Sequence, residues 1–179
     1  GYGELAYAVL NSKDYGIPQN RERLWMFAKL GGLPDGFEIV PPKTELKHRF
    51  SDFLDAFPPK ELYLTDEQIA HLKVKHMIPS FAVDEPLCFD VYNKKIKKDA
   101  LCITITQPEH NSLRVVELPK NGKEIVRKMS VDEQFRFMGF KDGEIDYRGH
   151  SYSQMSKRAG NGWDVNLVGI LLKHIFSQL

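Results

Sequence analysis

Two arginines two positions apart, Arg21 and Arg23, stand near the end of a segment reading Val9-Leu10-Asn11-Ser12-Lys13-Asp14-Tyr15-Gly16-Ile17-Pro18-Gln19-Asn20-Arg21-Glu22-Arg23-Leu24-Trp25. In a strand, residues two apart share a face, so both guanidinium groups would point the same way. Guanidinium is a rigid fork of donors that suits a phosphate or the polar edge of a heteroaromatic ring. The same spacing also describes a surface strand with solvated charges and Glu22 on the opposite side. Other reactive side chains are sparse. Cys88 and Cys102 lie inside apolar runs and read as buried, reduced thiols. The six histidines and two cysteines have no ligand spacing, so no metal site is expected. Lys94, Lys95, Lys97 and Lys98 form the densest basic cluster, which reads as a solvated hairpin tip.

Positioning the two arginines requires a hairpin. Residues 6–10 and 24–30 are rich in aliphatic and aromatic side chains. They read as antiparallel strands joined through the Tyr-Gly-Ile-Pro turn. Residues 31–36 and Pro41-Pro42 break that pattern. A short helix is expected over 51–57, ahead of Pro58-Pro59. Thr65 with Gln68 forms a capping box for a helix reaching about residue 75, with Ile69 and Leu72 on its inner face. Strands are expected over 88–92, 101–106 and 113–118. In the second of these, Leu101, Ile103 and Ile105 should share one face, and Cys102, Thr104 and Thr106 the other. Asn121-Gly122 marks a tight turn. Ser130 with Glu133 opens a further helix that stops at Gly139. Asp164 caps a final helix with Val168, Leu171, Leu172, Ile175, Phe176 and Leu179 at helical spacing.

The fold class expected is α+β: a hairpin, a mostly β insert and a helical return. An apolar fraction of 42% and a charged fraction of 27% fit a globular domain. The formal net charge of +1 does not by itself mark a nucleic-acid binder, although a balanced total can hide a local basic surface. No apolar run reaches the roughly 20 residues of a membrane span, and the first residues do not read as a signal peptide. A cytoplasmic setting is expected, with no membrane partner.

The string Asn11-Ser12-Lys13-Asp14-Tyr15-Gly16-Ile17-Pro18-Gln19-Asn20-Arg21-Glu22-Arg23 closely resembles the eighth motif of the DNA cytosine-5 methyltransferases, with its Q-x-R-x-R core. Arg127-Lys128-Met129-Ser130-Val131-Asp132-Glu133-Gln134-Phe135-Arg136-Phe137-Met138-Gly139-Phe140 resembles the ninth. Gly160-Asn161-Gly162 ahead of an apolar helix resembles the tenth. The three blocks stand in family order, around a variable region where the family keeps its target recognition domain. A globular domain with chance matches does not account for that order.

The resemblance implies the last strands of the catalytic α/β domain over 1–40, the target recognition domain with the ninth motif over 41–150, and closing helices over 151–179. It implies a bacterial or phage enzyme that acts on duplex DNA, bound to the nucleoid through its substrate and fit for restriction-modification. That enzyme would transfer methyl from S-adenosylmethionine to carbon 5 of cytosine. The family takes its thiolate from a Pro-Cys motif, its acid from Glu-Asn-Val and most of its donor pocket from a Gly-rich first motif. None of these occurs in this sequence, and Gly1-Tyr2-Gly3 lacks the strand that a donor-binding loop follows. The chain is therefore expected to be inactive alone, to work with an N-terminal methyltransferase half, and to self-associate when isolated. The alternative is a non-enzymatic DNA-binding or regulatory module.

By the same resemblance, Arg21 and Arg23 meet the target nucleotide's phosphate and the carbonyl edge of the extruded cytosine. Gln19 and Arg136 hold structure. Thr104 and Ile105 match a Thr-Leu pair near the extruded nucleotide, and Gln107, His110, Asn111 and Arg114 follow as candidate DNA readers. Asn161 and Gly162 would abut the methyl donor. Trp163 departs from the aliphatic residue usual there.

Overall fold

The computed structural model describes residues 3–107 and 113–179. Strand β1 (Ala6–Asn11) is followed by a tight turn and by β2 (Gln19–Asn20) and β3 (Glu22–Phe27). β1 and β3 pair antiparallel, with Ala6 opposite Phe27 and Asn11 opposite Glu22. The expected hairpin is present. Asn11 organises its turn: its side-chain oxygen accepts from the amides of Arg21 at 3.0 Å and Lys13 at 3.4 Å. Gly16 takes φ +96° there, a conformation open to glycine without steric cost.

Helix α1 (Asp66–His76) begins at the Thr65–Gln68 capping box. The insert then builds β4 (Leu87–Asp90), β5 (Lys95–Ile96), β6 (Cys102–Ile103), β7 (Leu113–Lys120) and β8 (Lys123–Arg127). A four-stranded antiparallel sheet runs in the order β5-β4-β7-β8. Asn121 and Gly122 both have positive φ in the turn between β7 and β8, as a tight hairpin turn requires. The sheet is apolar on both sides. Cys88, Leu113 and Val115 pack with Phe50, Met129 and Phe137, while Phe89, Val116 and Val126 pack with Ile69 of α1 and Phe81.

Three helices close the chain: α2 (Val131–Arg136), α3 (Tyr152–Asn161) and α4 (Val165–Phe176). Each starts at a side-chain cap, from Ser130, Ser151 and Asp164 in turn. Leu167, Leu171 and Ile175 of α4 bury against Leu10 and the inner face of the β1–β3 hairpin. The last element thus returns to the first. The class is α+β, with open sheets.

Several boundaries differ from the sequence expectation. Residues 51–57 do not form a helix; a single 3-10 turn spans Phe50–Phe53, and Leu54 is already extended. In that turn residues three apart eclipse, which stacks Phe50 and Phe53 together on Phe137, with ring centroids 5.5 and 4.9 Å away. The strand expected over 88–92 stops at Asp90, whose carboxylate accepts from the Asn93 amide and so closes a turn. The largest departure is 101–106. Only Cys102–Ile103 is strand, pairing in parallel with Gln19–Asn20. Cys102 and Ile105 are both buried, which breaks the expected alternation. Beyond the ladder, the Ile105 carbonyl accepts from Arg21.

Candidate functional site: the junction of the hairpin, the insert and the closing helices

Arg21, Arg23 and Trp25 alternate on one face of the chain running into β3. Arg23 stands opposite Leu10 of β1, so it shares the face that packs on α4. The shared orientation read from the sequence holds, but the two arginines differ in environment. Arg21 is only 2% exposed. Its Nη1 donates to the Ile105 carbonyl at 2.9 Å, and its Nη2 to the Gly160 carbonyl at 3.1 Å and the Gly162 carbonyl at 2.7 Å. One guanidinium therefore joins the hairpin, the insert and the turn between α3 and α4. Both terminal nitrogens donate to backbone carbonyls, while the buried Nε has no hydrogen-bond partner among the described residues. Burial, and then the neighbouring Arg23 charge, bring its pKa down to about 10, so it stays cationic at neutral pH. Arg23 is half-buried, and its Nη1 donates to the adjacent Glu22 carbonyl at 2.7 Å.

Of the other residues singled out from the sequence, some lie near this point and some do not. Gln19 is fully buried, and its amide donates to the Phe137 carbonyl at 3.4 Å. Thr104 Oγ1 donates to the Asn20 carbonyl at 2.7 Å. Ile105 is buried, so its side chain belongs to the core. The Gln107 amide donates to Asn161 Oδ1 at 2.8 Å. Arg114 is half-buried on β7; burial lowers its pKa, and Tyr152 lies close by. His110 and Asn111 lie outside the described residues. Arg136 joins α2 to the 53–55 segment and to Asp142: it bonds the Phe53 carbonyl at 2.9 Å, Asp55 at 2.7 Å and Asp142 at 2.6 Å. It does not pair with Glu133, whose carboxylate is taken by Arg127.

The turn from α3 into α4 is shaped by close contact. A Cβ on Gly160 would lie 2.4 Å from the Thr106 carbonyl carbon, so only glycine lets the helix end rest there. Asn161 and Trp163 are exposed. The Trp163 ring meets Trp25 edge-on, with centroids 5.7 Å apart, and borders an apolar recess of about 270 Å³ with Met138, Phe140 and Gly162. Asp164 is buried and caps α4 through the amides of Asn166 and Leu167. Burial holds its carboxyl above the usual range, although those bonds and the Arg21 charge pull the other way.

Sequence reasoning missed how far this junction depends on backbone carbonyls. It also missed the buried ion pairs of Arg127 with Glu133 and Glu117. Glu133 was legible as a cap, and it caps; Arg127 arrives from β8, which local patterning does not report. Among the described residues, no group of three or more His, Cys, Asp or Glu converges to hold a metal ion, and no helix is long and apolar enough to cross a membrane.

Residues 1–177 match the family model of the C-5 cytosine-specific DNA methylases. The chain belongs to that family. Among its relatives, the Type II methyltransferase M2.ScrFI of Lactococcus lactis subsp. cremoris is 27% identical over 175 residues, covering 95% of this chain and 44% of that protein. The Type II methyltransferase M.HaeII of Haemophilus aegyptius is 29% identical over 181 residues, covering 97% and 51%. The C-5 methylase chain thus spans about half the length of these curated relatives. The fold is similar to that of the S. pombe Dnmt2 methyltransferase, with a TM-score of 0.66 at 18% identity over 99% of this chain and 58% of that one. A DNMT2 variant from Spodoptera frugiperda gives 0.67 at 15% identity, over 96% and 58%.

Proposed function

We propose that this chain is the C-terminal, DNA-recognising portion of a DNA (cytosine-5-)-methyltransferase, working with an N-terminal half that carries the nucleophilic cysteine. The observation that carries the reading is the junction itself. Arg21 from the hairpin, residues 104–107 from the insert and the 160–162 turn meet in one place, although the bonded residues lie between 54 and 141 positions apart in the sequence. A second observation agrees. On the hairpin face turned away from α4, Tyr7, Val9, Leu24 and Met26 are 70, 63, 59 and 60% exposed, an apolar surface of the kind that another layer covers.

In this reading residues 1–40 complete the catalytic sheet, 41–150 form the recognition domain and 151–179 return to the sheet. Arg23, the less buried cation, donates to the exocyclic oxygen of an extruded cytosine, which gains negative charge as a thiolate adds to the ring. Arg21 holds the surrounding backbone so that Arg23 is aimed. Thr104 fixes the insert to Asn20 beside that point. The residues of the 160–163 turn fit an S-adenosyl group: Asn161 offers an exposed amide, Gly162 leaves room for close approach, and Trp163 gives an aromatic face beside an apolar recess. When bound, S-adenosylmethionine supplies an electrophilic methyl on sulfonium. Duplex DNA is the macromolecular substrate, in the cytoplasm of a bacterial or phage-infected cell.

The test is reconstitution. This chain alone should transfer no labelled methyl to duplex DNA, and adding an N-terminal half with Pro-Cys and Glu-Asn-Val segments should restore transfer to cytosine. Transfer by the chain alone, or none after complementation by a soluble half, would overturn the reading.

A further inference from the structure

We infer that Gln107 is a positioning residue: its side chain latches the insert's 104–107 segment to Asn161, and so couples target recognition to the donor-side turn. The inference rests on the reading above and names a device within the same site. Three contacts meet here. Gln107 Nε2 donates to Asn161 Oδ1 at 2.8 Å. One residue earlier in the closing segment, Gly160 lies so near the insert that an added Cβ would sit 2.4 and 2.5 Å from the Thr106 carbonyl carbon and oxygen, and 2.7 Å from the Gln107 amide nitrogen. Arg21 then fastens both sides with one guanidinium, through the Ile105 carbonyl on one and the Gly160 and Gly162 carbonyls on the other.

Two backbone segments in direct contact and clamped by a buried planar group resist shifting independently. The Gln107–Asn161 bond extends that clamp to an exposed side chain of the turn that can contact a donor. A ligand that settles Asn161 also settles Gln107 and the segment behind it. Linkage makes the effect reciprocal: duplex binding must favour the donor by the same factor that the donor favours the duplex. An amide engaged with Asn161 is not reading a base edge, and this separates the latch from the role expected from sequence.

The experiment uses the full-length protein and S-adenosylhomocysteine as probe, with its Kd measured by calorimetry with and without a duplex that the enzyme methylates. In the wild type the duplex should tighten the probe. In Gln107→Ala that tightening should shrink by roughly three- to tenfold, the worth of one hydrogen bond, while the preference for this duplex over one that the enzyme does not methylate stays unchanged. Gln107→Glu should restore the coupling, because the Asn161 amide can turn and donate to the carboxylate. Relaxed sequence preference in Gln107→Ala with donor coupling intact would mean that Gln107 reads a base, and would overturn the latch. Equal coupling in all three proteins would overturn it as well. Failure of the full-length protein to bind the probe at all would instead strike at the proposed function.

Discussion

Arg21 and Arg23 have the same chemistry and opposite assignments, and burial makes the difference. Arg21→Ala would strand three backbone acceptors, each costing about 1–3 kcal/mol when left buried and unpaired. Arg21→Lys cannot span carbonyls on two segments with a point charge. Denaturant unfolding of the full-length protein should show Arg21→Lys destabilised by at least about 1 kcal/mol; an unchanged midpoint would contradict the clamp. Arg23→Ala should leave stability nearly intact and slow methyl transfer at saturating DNA roughly a hundredfold, the loss of about 3 kcal/mol expected of one donor at a developing charge. Lys97→Ala, which removes only a pairing with Asp99, should instead alter the salt dependence of DNA binding. Asp164 adds a pH signature. Burial raises its folded pKa above 3.8, so the folded state holds this proton more tightly than the unfolded chain. Its contribution to stability is full below pH 3.8 and declines as pH rises through the raised value. Asp164→Asn keeps the cap and should remove that decline, which a comparison of unfolding free energies across the acid range would reveal.

The helices owe their ends to local caps and their positions to partners far along the chain. Helix α2 is fixed at Glu133, which is fully buried. Glu133 accepts from Arg127 at 2.8 and 2.7 Å, from its own cap Ser130 and from the Asp55 amide. Burial opposes the Arg127 charge, but the Glu133 and Glu117 carboxylates outweigh it and raise its pKa. Glu133→Gln keeps much of the cap but leaves Arg127 short of a buried counter-charge. A loss of about 3–5 kcal/mol is expected, measurable by chemical denaturation, and a loss below 1 kcal/mol would show that Glu117 alone suffices. Helix α3 depends on Gly160 in the same way. A methyl at that position meets backbone rather than a yielding side chain, so Gly160→Ala should push α3 from the insert and cost about 1–3 kcal/mol.

The hairpin is covered on one face only among the described residues. Its inner face is sealed by α4, while its outer face presents Tyr7, Val9, Leu24 and Met26. Burying side chains of this size is worth roughly 1.5–3 kcal/mol each, enough to drive association when nothing else covers them. The isolated polypeptide should therefore self-associate, and Val9→Lys with Leu24→Lys should disperse it. Light scattering on both proteins checks this; a monomeric wild type at high concentration would show that the face tolerates water. Leu172 and Phe176 on the outer side of α4 are exposed as well, so the closing helix buries a narrower stripe than its apolar spacing suggests.

What the sequence determined by itself is local. Caps at Thr65, Ser130 and Asp164, the Asn121-Gly122 turn and the pairing of the first two long strands depend on neighbours within a few residues, or on a face repeated along one element. The family was legible for the same reason: the strings that resemble its motifs are written along the chain. Tertiary structure decided which arginine is buried, where the 101–106 strand breaks, and that Gln107 turns to Asn161. In each case the deciding partner lies between about fifty and a hundred and forty residues away. An arginine two residues from another has the same pattern whether it faces water or three carbonyls, and only packing supplies the carbonyls.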